Sequence, residues 1–381
     1  MELCTKLVHL GVCSNEKTGA ISTPIYQNAT FRHPGLGQST GFDYSRTQNP
    51  TRKVLEEGIA ALEGGAAGFA FASGMAAITA VLMLFQAGDH LVVAADCYGG
   101  TYRVLDRIFS KFGLTASFVD TNNTAEVVKA VTPSTKAIIV ETPTNPLLRI
   151  ADIAAIVDIA KLYSLTVIVD NTFMTPYFQR PIEQGADIVI HSGSKYLAGH
   201  NDLVCGLAVT RTAEVGERLG FIQNSTGAVL SPSDSWLLIR GIKTLALRLE
   251  KHNANGLAVA AWLQNHPRVC AVYYPGLSDH PGKDVHDRQA LGYGGMLSFV
   301  VDDPALVPEL LKRVKLISFA ESLGGVESLI TFPAVQTHAD IPAAEREKLG
   351  ISDCLLRLSV GIEDAGDIIV DLNQALGKGG L

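Results

Sequence analysis

Short apolar runs rich in β-branched residues recur along the first half of the chain, and segments of helical length separate most of them. We predict strands at 68–72, 90–94, 137–141, 166–170, 187–191 and 206–210. The stretches 101–112 and 153–162 have the length of helices. This alternation predicts an α/β fold with a mostly parallel sheet. Runs such as "AIIVE" and "TVIVD" do not alternate polar with apolar residues, which is typical of strands covered on both faces.

The pattern changes towards both ends of the chain. Residues 1–45 are rich in Thr, Pro and Gly and predict an extended N-terminal arm, followed by a large domain over 46–235. A long helical connection is expected over 231–264. The remainder, 236–381, predicts a smaller α+β domain. Its expected elements are strands at 270–274, 296–301 and 354–360 and helices at 304–314 and 362–376.

Composition narrows the classes of protein that fit. The chain has 381 residues, of which 47% are hydrophobic, so it can bury a sizeable core. Because 31 basic and 38 acidic residues give a net charge of -7, no nucleic-acid partner is expected. The six cysteines are scattered without a C-x-x-C pair, so neither a disulfide scaffold nor a metal site is expected.

One uncharged stretch, between Glu63 and Asp89, has the length of a membrane span. Polar residues and several glycines interrupt it, and no basic flank orients it. A buried strand, turn and helix is therefore the favoured interpretation. No basic, apolar leader segment precedes it, and we expect a cytoplasmic protein without a membrane partner.

Three predicted strands end in residues that suit chemistry, at the sheet edge where parallel sheets bind ligands. The turn containing Gly74 and Met75 leads into a helix, whose free N–H groups attract phosphate, although such turns are often only caps. Asp170 ends an apolar strand and needs a partner, either a protonated ring nitrogen or its own turn.

Lys195 follows another strand, together with two hydroxyls, Ser192 and Ser194. Most lysines are solvated, but burial here would lower the pKa of the amine and suit it to Schiff-base chemistry. Together with Asp170 and the turn at Gly74, these residues fit one ligand, an aldehyde with a phosphate and a basic ring nitrogen. Pyridoxal 5′-phosphate is such a molecule. Tyr98, at the end of a further strand, is placed to stack on its ring.

The motifs, taken in order, resemble the Cys/Met-metabolism family of pyridoxal-phosphate enzymes. They are "YSRTQNPTR" (44–52), "ASGMAAI" (72–78), "DCYGGTYR" (96–103), "ETPTNP" (141–146), "VDNTF" (169–173), "HSGSKYLAGHND" (191–202), "ESLGGVESL" (321–329) and "RLSVGIED" (357–364). The resemblance covers nearly the whole chain and implies an aspartate-aminotransferase-like fold of type I. Ser194 departs from the threonine that the family usually has, but it keeps the hydroxyl.

The resemblance also implies a role for each site residue. Lys195 resembles the Schiff-base lysine and proton shuttle, Asp170 the partner of the pyridine nitrogen, and Tyr98 the ring-stacking tyrosine. The implied phosphate cup comprises Gly74, Met75, Ser192 and Ser194, and the implied substrate-binding residues are Asn145, Glu321, Ser322 and Arg357, with Arg357 on the α-carboxylate. Tyr44 and Arg46 match a pair that reaches the phosphate of a neighbouring subunit, which implies a tetramer built from dimers. In the absence of the motifs, residue type alone would favour Arg46 and Arg357 as ordinary surface arginines and Tyr44 as a core residue.

Several reactions fit these motifs. Gly100 stands where methionine γ-lyases have cysteine, and Glu321 resembles the acidic residue of γ-acting enzymes. The segments "TGFDYSRTQNPTR" (40–52) and "STGAVLSPSDSWLLIRGIKTLALR" (225–248) most resemble bacterial cystathionine γ-synthases. We therefore favour a γ-synthase, in which cysteine, or alternatively sulfide, replaces the γ-substituent of an O-acetyl- or O-succinylhomoserine. The alternatives are a γ-lyase or β-lyase of cystathionine and a non-catalytic pyridoxal-phosphate-binding protein. A nucleotide-binding oxidoreductase fails, because "GLGQSTG" (35–41) has Thr for the third Gly and follows no strand.

Overall fold

The computed structural model describes residues 1–13, 15–337, 339, 346–347 and 349–377. Its larger sheet has seven strands in the order β1-β7-β6-β5-β4-β2-β3, and all except β7 run parallel. The strands are β1 (Ala67–Phe71), β2 (His90–Ala94), β3 (Thr115–Val119), β4 (Thr135–Glu141), β5 (Thr166–Asp170), β6 (Ile188–Ser192) and β7 (Gly206–Thr210). The six predicted strands are confirmed, with β3 in addition.

Helices cover both faces of this sheet, as the continuous apolar strands predicted. Ile168 of β5 packs in one apolar cluster with residues of α3 and α4, whereas Val167 and Val169 pack in another with residues of α5 and α6. In chain order, the helices from the N-terminus to the end of the long connection are α1 (Leu3–Val8), α2 (Pro50–Glu63), α3 (Gly74–Leu82), α4 (Gly99–Arg107), α5 (Thr124–Ala130), α6 (Ile153–Tyr163), α7 (Thr175–Phe178), α8 (Ala213–Thr226), α9 (Pro232–Ile242) and α10 (Leu245–Gln264).

A second, five-stranded sheet follows α10, in the order β10-β11-β12-β9-β8. Its strands are antiparallel except for the pair β10–β11. The remaining elements are β8 (Val269–Tyr273), α11 (Lys283–Gln289), β9 (Met296–Val301), α12 (Leu306–Arg313), β10 (Ser318–Phe319), β11 (Leu329–Thr331), β12 (Leu355–Ser359) and α13 (Ala365–Leu376). The expected α+β character is confirmed, while the domain boundaries at 45/46 and 235/236 stay a prediction.

Three expectations differ from the structure. The arm is not wholly extended, because it begins with α1, whose Leu7 is fully buried in the core. The long connection is two helices, interrupted at Lys243 and Thr244. The helix expected over 101–112 ends at Arg107 and continues as a short 3-10 helix over Phe109–Phe112. Of the helices in the described part, none is both long and apolar enough to span a membrane.

The core of the smaller sheet gives a prediction about stability. Phe299 of β9 is fully buried in a cluster with Leu358 and Leu372. Replacing Phe299 by Ala should lower the free energy of unfolding by about 3–5 kcal/mol, since both transfer free energy and packing are lost. Chemical denaturation measures this. Leu162, which is 81% exposed, is the control, and Leu162→Ala should change stability by less than about 0.5 kcal/mol. An equal effect of the two substitutions would contradict this packing.

Candidate active site

Strand alternation brings the ends of β4, β5 and β6 to one cavity. Successive side chains of a strand face opposite sides of the sheet. Asp170 therefore faces the same side as Ile168, and Ser192 the same side as Ile190, towards α3 and α4. Glu141 is the register partner of Asp170 on β4 and faces that side as well. The cavity there has a volume of about 770 Å³ and reaches across to the smaller sheet.

The turn between β1 and α3 forms one wall of this cavity. Ser73 caps α3 by accepting the N–H of Ala76 at 3.1 Å, so the N-terminus of the helix points at the cavity. A Cβ atom at Gly74 would lie only 3.0 Å from the Cβ of Ser192. Glycine therefore lets the backbone approach Ser192 closely. Met75 lines the same wall.

The two serines near Lys195 differ in their surroundings. Ser192 lies at the end of β6, and its N–H donates to Thr172 Oγ1 at 2.9 Å. Ser194 Oγ accepts the N–H of Cys205 at 2.9 Å and donates to the carbonyl of that residue at 3.2 Å. Both serines line the cavity, and Ser192 lies against the turn at Gly74, while their role in binding phosphate stays a prediction.

Lys195 lies opposite, partly buried, and its Nζ donates to Ser322 Oγ at 3.0 Å. Burial, helped by the nearby charge of Arg357, lowers the pKa of the Lys195 amine to about 8, although Glu321 acts in the opposite sense. A fraction of the amine is then neutral near physiological pH. A neutral amine is the form that attacks a carbonyl carbon, which is the chemistry for which the sequence proposed this lysine.

Asp170 is held by the residue two positions after it. Its Oδ1 accepts the N–H of Thr172 at 3.0 Å and the hydroxyl of Thr172 at 2.5 Å. Burial nevertheless raises the pKa of Asp170. Such a carboxylate gains stability from a cationic partner in the cavity, and a protonated ring nitrogen supplies one. The turn and the ring-nitrogen interpretations of Asp170 are thus compatible.

Tyr98 stands where α4 begins, with its ring 40% exposed at the cavity. Its backbone N–H donates to Glu141 Oε2 at 2.8 Å. Gly100 lies directly behind the ring, because a Cβ there would come within 2.5 Å of Tyr98 Cε1. Tyr98 is therefore held by the hydrogen bond of its backbone N–H and by the contact of one ring face with Gly100, while the other ring face is free towards the cavity.

Arg357 enters from β12 of the smaller sheet and is only 2% exposed. Its guanidinium donates to Asn145 Oδ1 at 3.0 Å, to the carbonyl of Ser322 at 2.9 Å and to Thr331 Oγ1 at 3.0 Å. All three acceptors are neutral, and Nε has no hydrogen-bond partner among the residues that the structure describes. A buried cation with neutral neighbours is prepared to bind a carboxylate. The expectation that Arg357 is a surface arginine is therefore wrong.

Three other proposed site residues, Glu321, Tyr44 and Arg46, are exposed to solvent. Glu321 is exposed at the rim of the cavity and, among the described residues, makes no hydrogen bond. Tyr44 and Arg46 are also exposed, so Tyr44 is not a core residue. They do not line the cavity of their own chain. Arg46 lies over the Tyr44 ring at 5.5 Å and donates to Asn224 at 3.3 Å.

The sequence missed two residues of the site, Glu141 and Thr172. Both line the cavity, and each bonds to a predicted site residue. Glu141 carried a signal, because a carboxylate that ends an apolar strand is costly without a partner. Thr172 follows Asp170 by two positions, the spacing of a local side-chain turn.

The cavity fits pyridoxal phosphate by three independent features. Gly74 lets the start of α3 lie close against Ser192 at the cavity wall, the amine of Lys195 has a lowered pKa, and the carboxyl of Asp170, whose pKa burial raises, would gain stability from a cation in the cavity. This combination defines an enzyme that uses pyridoxal phosphate, with an α/β fold of type I.

Comparison with known proteins makes the class specific. Residues 4–377 match the Cys/Met metabolism PLP-dependent enzyme family, and the chain belongs to that family. It is 55% identical to the cystathionine γ-lyase of Bacillus subtilis (strain 168) over 99% of both chains. It is 52% identical to the cystathionine β-lyase of Lactococcus lactis subsp. cremoris (strain MG1363), over 98% of both chains.

A solved structure agrees with these relatives. The cystathionine γ-synthase of Xanthomonas oryzae pv. oryzae, in complex with aminoacrylate and cysteine, superposes with a TM-score of 0.97 at 42% identity. The match covers 99% of this chain and 98% of the other. The fold of type I, the cofactor pyridoxal phosphate and membership of the trans-sulfuration enzymes are thereby confirmed.

The lowered pKa of Lys195 predicts how this lysine reacts in the cofactor-free protein. Labelling by an amine-specific acylating reagent needs the neutral amine, so its rate should rise with pH and level off above about 8. Lys283 is the internal control, because its bond to Asp287 raises its pKa and should keep labelling slow over that range. Peptide mass spectrometry follows both residues. A profile for Lys195 that matches that of Lys283 would contradict the burial effect.

Proposed function

We propose that the chain acts on cystathionine at its γ-carbon, as a cystathionine γ-lyase. In this reaction cystathionine and water give cysteine, 2-oxobutanoate and ammonia. The observation that carries the proposal is the pairing of a buried cation, Arg357, with an exposed carboxylate, Glu321, in one cavity. An amino acid with a second ammonium at its far end complements these two charges.

The roles of the chain's own residues follow from their contacts. Pyridoxal phosphate supplies an aldehyde and an electron-withdrawing ring. Arg357 binds the α-carboxylate of the substrate, and Asn145 fixes the plane of the guanidinium from the other side. Lys195, released from Ser322, then removes the proton from Cα and delivers protons along the substrate chain. Tyr98 would cover the ring face of the bound cofactor, and the turn at Gly74 would receive its phosphate.

Glu321 supports cystathionine as the substrate, and its resemblance to the acidic residue of γ-acting enzymes favours the γ-carbon. A carboxylate at the cavity rim pairs with the distal ammonium of cystathionine and holds its far amino-acid head. Its charge acts on both Lys195 and Arg357, so it lies within electrostatic reach of the reacting end. In a cavity closed by substrate, this ion pair gains strength from the loss of water.

Cystathionine γ-synthase is the second candidate. The motifs of the sequence favour it, and the γ-synthase structure from Xanthomonas oryzae matches nearly the whole chain. We place the γ-lyase first because a relative with that name is 55% identical over the full length. Both reactions use the same charged residues and differ in whether cysteine leaves or enters.

A product assay separates the candidates. The purified enzyme is incubated with cystathionine alone, with O-acetylhomoserine plus cysteine, and with O-succinylhomoserine plus cysteine. Cysteine and 2-oxobutanoate from cystathionine support the γ-lyase. Homocysteine and pyruvate identify a β-lyase, and cystathionine formed faster than it is cleaved identifies a γ-synthase. Mass spectrometry of the products gives the answer.

Replacement of Glu321 tests the γ-directed site. Glu321→Gln keeps the size of the side chain and removes its charge. The value of kcat/KM for cystathionine should fall about 10-fold to 100-fold, because one or two charge-assisted contacts are lost. The absorbance of the bound cofactor should not change. A thioether substrate without a distal ammonium serves as the control and should lose little. Equal losses on both substrates would mean that Glu321 has no role in recognising the distal head.

Subunit mixing tests the proposal that Tyr44 and Arg46 complete the site of a neighbouring subunit. Arg46→Ala and Lys195→Ala enzymes should each have little activity. After mixing and exchange, half of the dimers are hybrids with one intact site, so about a quarter of the sites should recover.

Two further measurements accompany this assay. The Arg46→Ala enzyme should retain less cofactor than the wild type, and sedimentation should show that the active species is at least a dimer. The control mixes Arg46→Ala with a chain carrying both substitutions, where no site is intact. Recovery in neither mixture, or a fully active monomer, would show that each chain builds its site alone.

A further inference from the structure

Glu141 has no place in the functions given so far, although it is buried at the centre of the site. It ends β4 and is only 8% exposed. It lines the main cavity and also a second cavity of about 20 Å³ behind it, which Asp170 and Thr101 line as well. A cavity of this size holds a single water molecule, and these three side chains offer it polar partners.

The sheet forces two carboxyl groups together here. Glu141 and Asp170 are register partners on adjacent parallel strands, and neighbouring strands lie about 4.8 Å apart. Both side chains face the same side of the sheet, as shown by their common cavities. Two buried carboxylates at this separation repel each other, and such pairs keep one proton between them.

The remaining neighbours do not neutralise the pair. Asp96 lies close by and is 2% exposed, and the Nε of Arg149 lies 4.0 Å from its Oδ2. Arg357 is a second cation, but its hydrogen bonds go to neutral groups. The titratable or charged groups that act on the pair from the surrounding elements are Asp96, Cys97, His191 and Arg357, and His191 acts on Asp170, where it favours the charged form.

Of the two carboxyl groups, Asp170 is the better site for the charge. Asp170 accepts two hydrogen bonds from Thr172 and would have the ring nitrogen of the bound cofactor as a partner. Burial, followed by the charge of Asp170, raises the pKa of Glu141 well above its ordinary value. Glu141 also accepts two backbone hydrogen bonds, from the N–H of Tyr98 at 2.8 Å and from Asn145, but burial and the neighbouring carboxyls of Asp170 and Asp96 outweigh them, so the proton belongs to Glu141.

We propose that Glu141 is a positioning residue that works as a neutral carboxylic acid. It holds Tyr98 at the start of α4 through its carbonyl oxygen. Its O–H group donates a hydrogen bond to Asp170, directly or through one water in the small cavity. Asp170 thus stays the carboxylate that would meet the ring nitrogen of the cofactor. The inference concerns cofactor binding and does not depend on which bond of the substrate is cleaved.

Two substitutions separate this role from that of a charged residue. Glu141→Gln keeps a carbonyl oxygen for Tyr98 and a neutral N–H donor, so the dissociation constant for pyridoxal phosphate should stay within about 3-fold of the wild-type value. Glu141→Ala leaves the buried N–H of Tyr98 without an acceptor, and the constant should rise about 10-fold or more. Glu126→Gln, on the exposed face of α5, is the matched surface control.

Infrared spectroscopy of the wild-type holoenzyme provides a readout apart from affinity. The spectrum should contain the carbonyl band of a protonated carboxylic acid, and subtraction of the Glu141→Gln spectrum should assign that band to Glu141. The Glu126→Gln spectrum should retain it. The proposal is overturned if the band is missing at neutral pH, or if Glu141→Gln weakens cofactor binding as much as Glu141→Ala does. The infrared result stands even where the alanine variant fails to fold.

Discussion

The burial of one cation, Arg357, constrains the arrangement of the whole site. A guanidinium that is 2% exposed needs hydrogen-bond acceptors, since burial of an unpartnered charge is very costly. Its acceptors come from two sheets, because Asn145 follows β4 of the larger sheet whereas Thr331 belongs to β11 of the smaller one. Burial and this charge together lower the pKa of Lys195. One residue thus joins the sheets, offers a buried cation to the cavity and contributes to the lowered pKa of the amine.

Much of this arrangement could be predicted from local patterns. Continuous apolar runs identified six strands of the larger sheet, and the parallel fold then required their ends to share one edge. Lys195 and Asp170 could be predicted as partners because each follows such a run. Glycine at position 74 is also informative, since a side chain there would lie tightly against Ser192.

Other features depend on contacts between segments far apart in the chain. β10 and β11 have two and three residues, too few to give a periodic pattern, and they exist because they pair with each other and with β12. Ser322 has a positive φ of 90°, unusual for a residue with a side chain. This conformation lets its hydroxyl meet Lys195 while its carbonyl meets Arg357. Glu141 was missed because its two partners come from separate strands and loops.

Under the proposed function, the charges along the cavity would also give an order to substrate binding. In the free protein, Glu321 is the exposed carboxylate within reach of Arg357 and Lys195, and solvent screens it from both. A substrate carboxylate that reaches Arg357 supplies a closer partner for the buried cation and excludes water from the cavity. Glu321 would then no longer act as the counter-charge of Arg357 and could pair with a distal ammonium of the substrate. With water excluded from the cavity, this ion pair would be stronger than it is in solvent. A two-headed amino acid meets both conditions, whereas a one-headed substrate leaves Glu321 unpaired, so the arrangement selects by the second head.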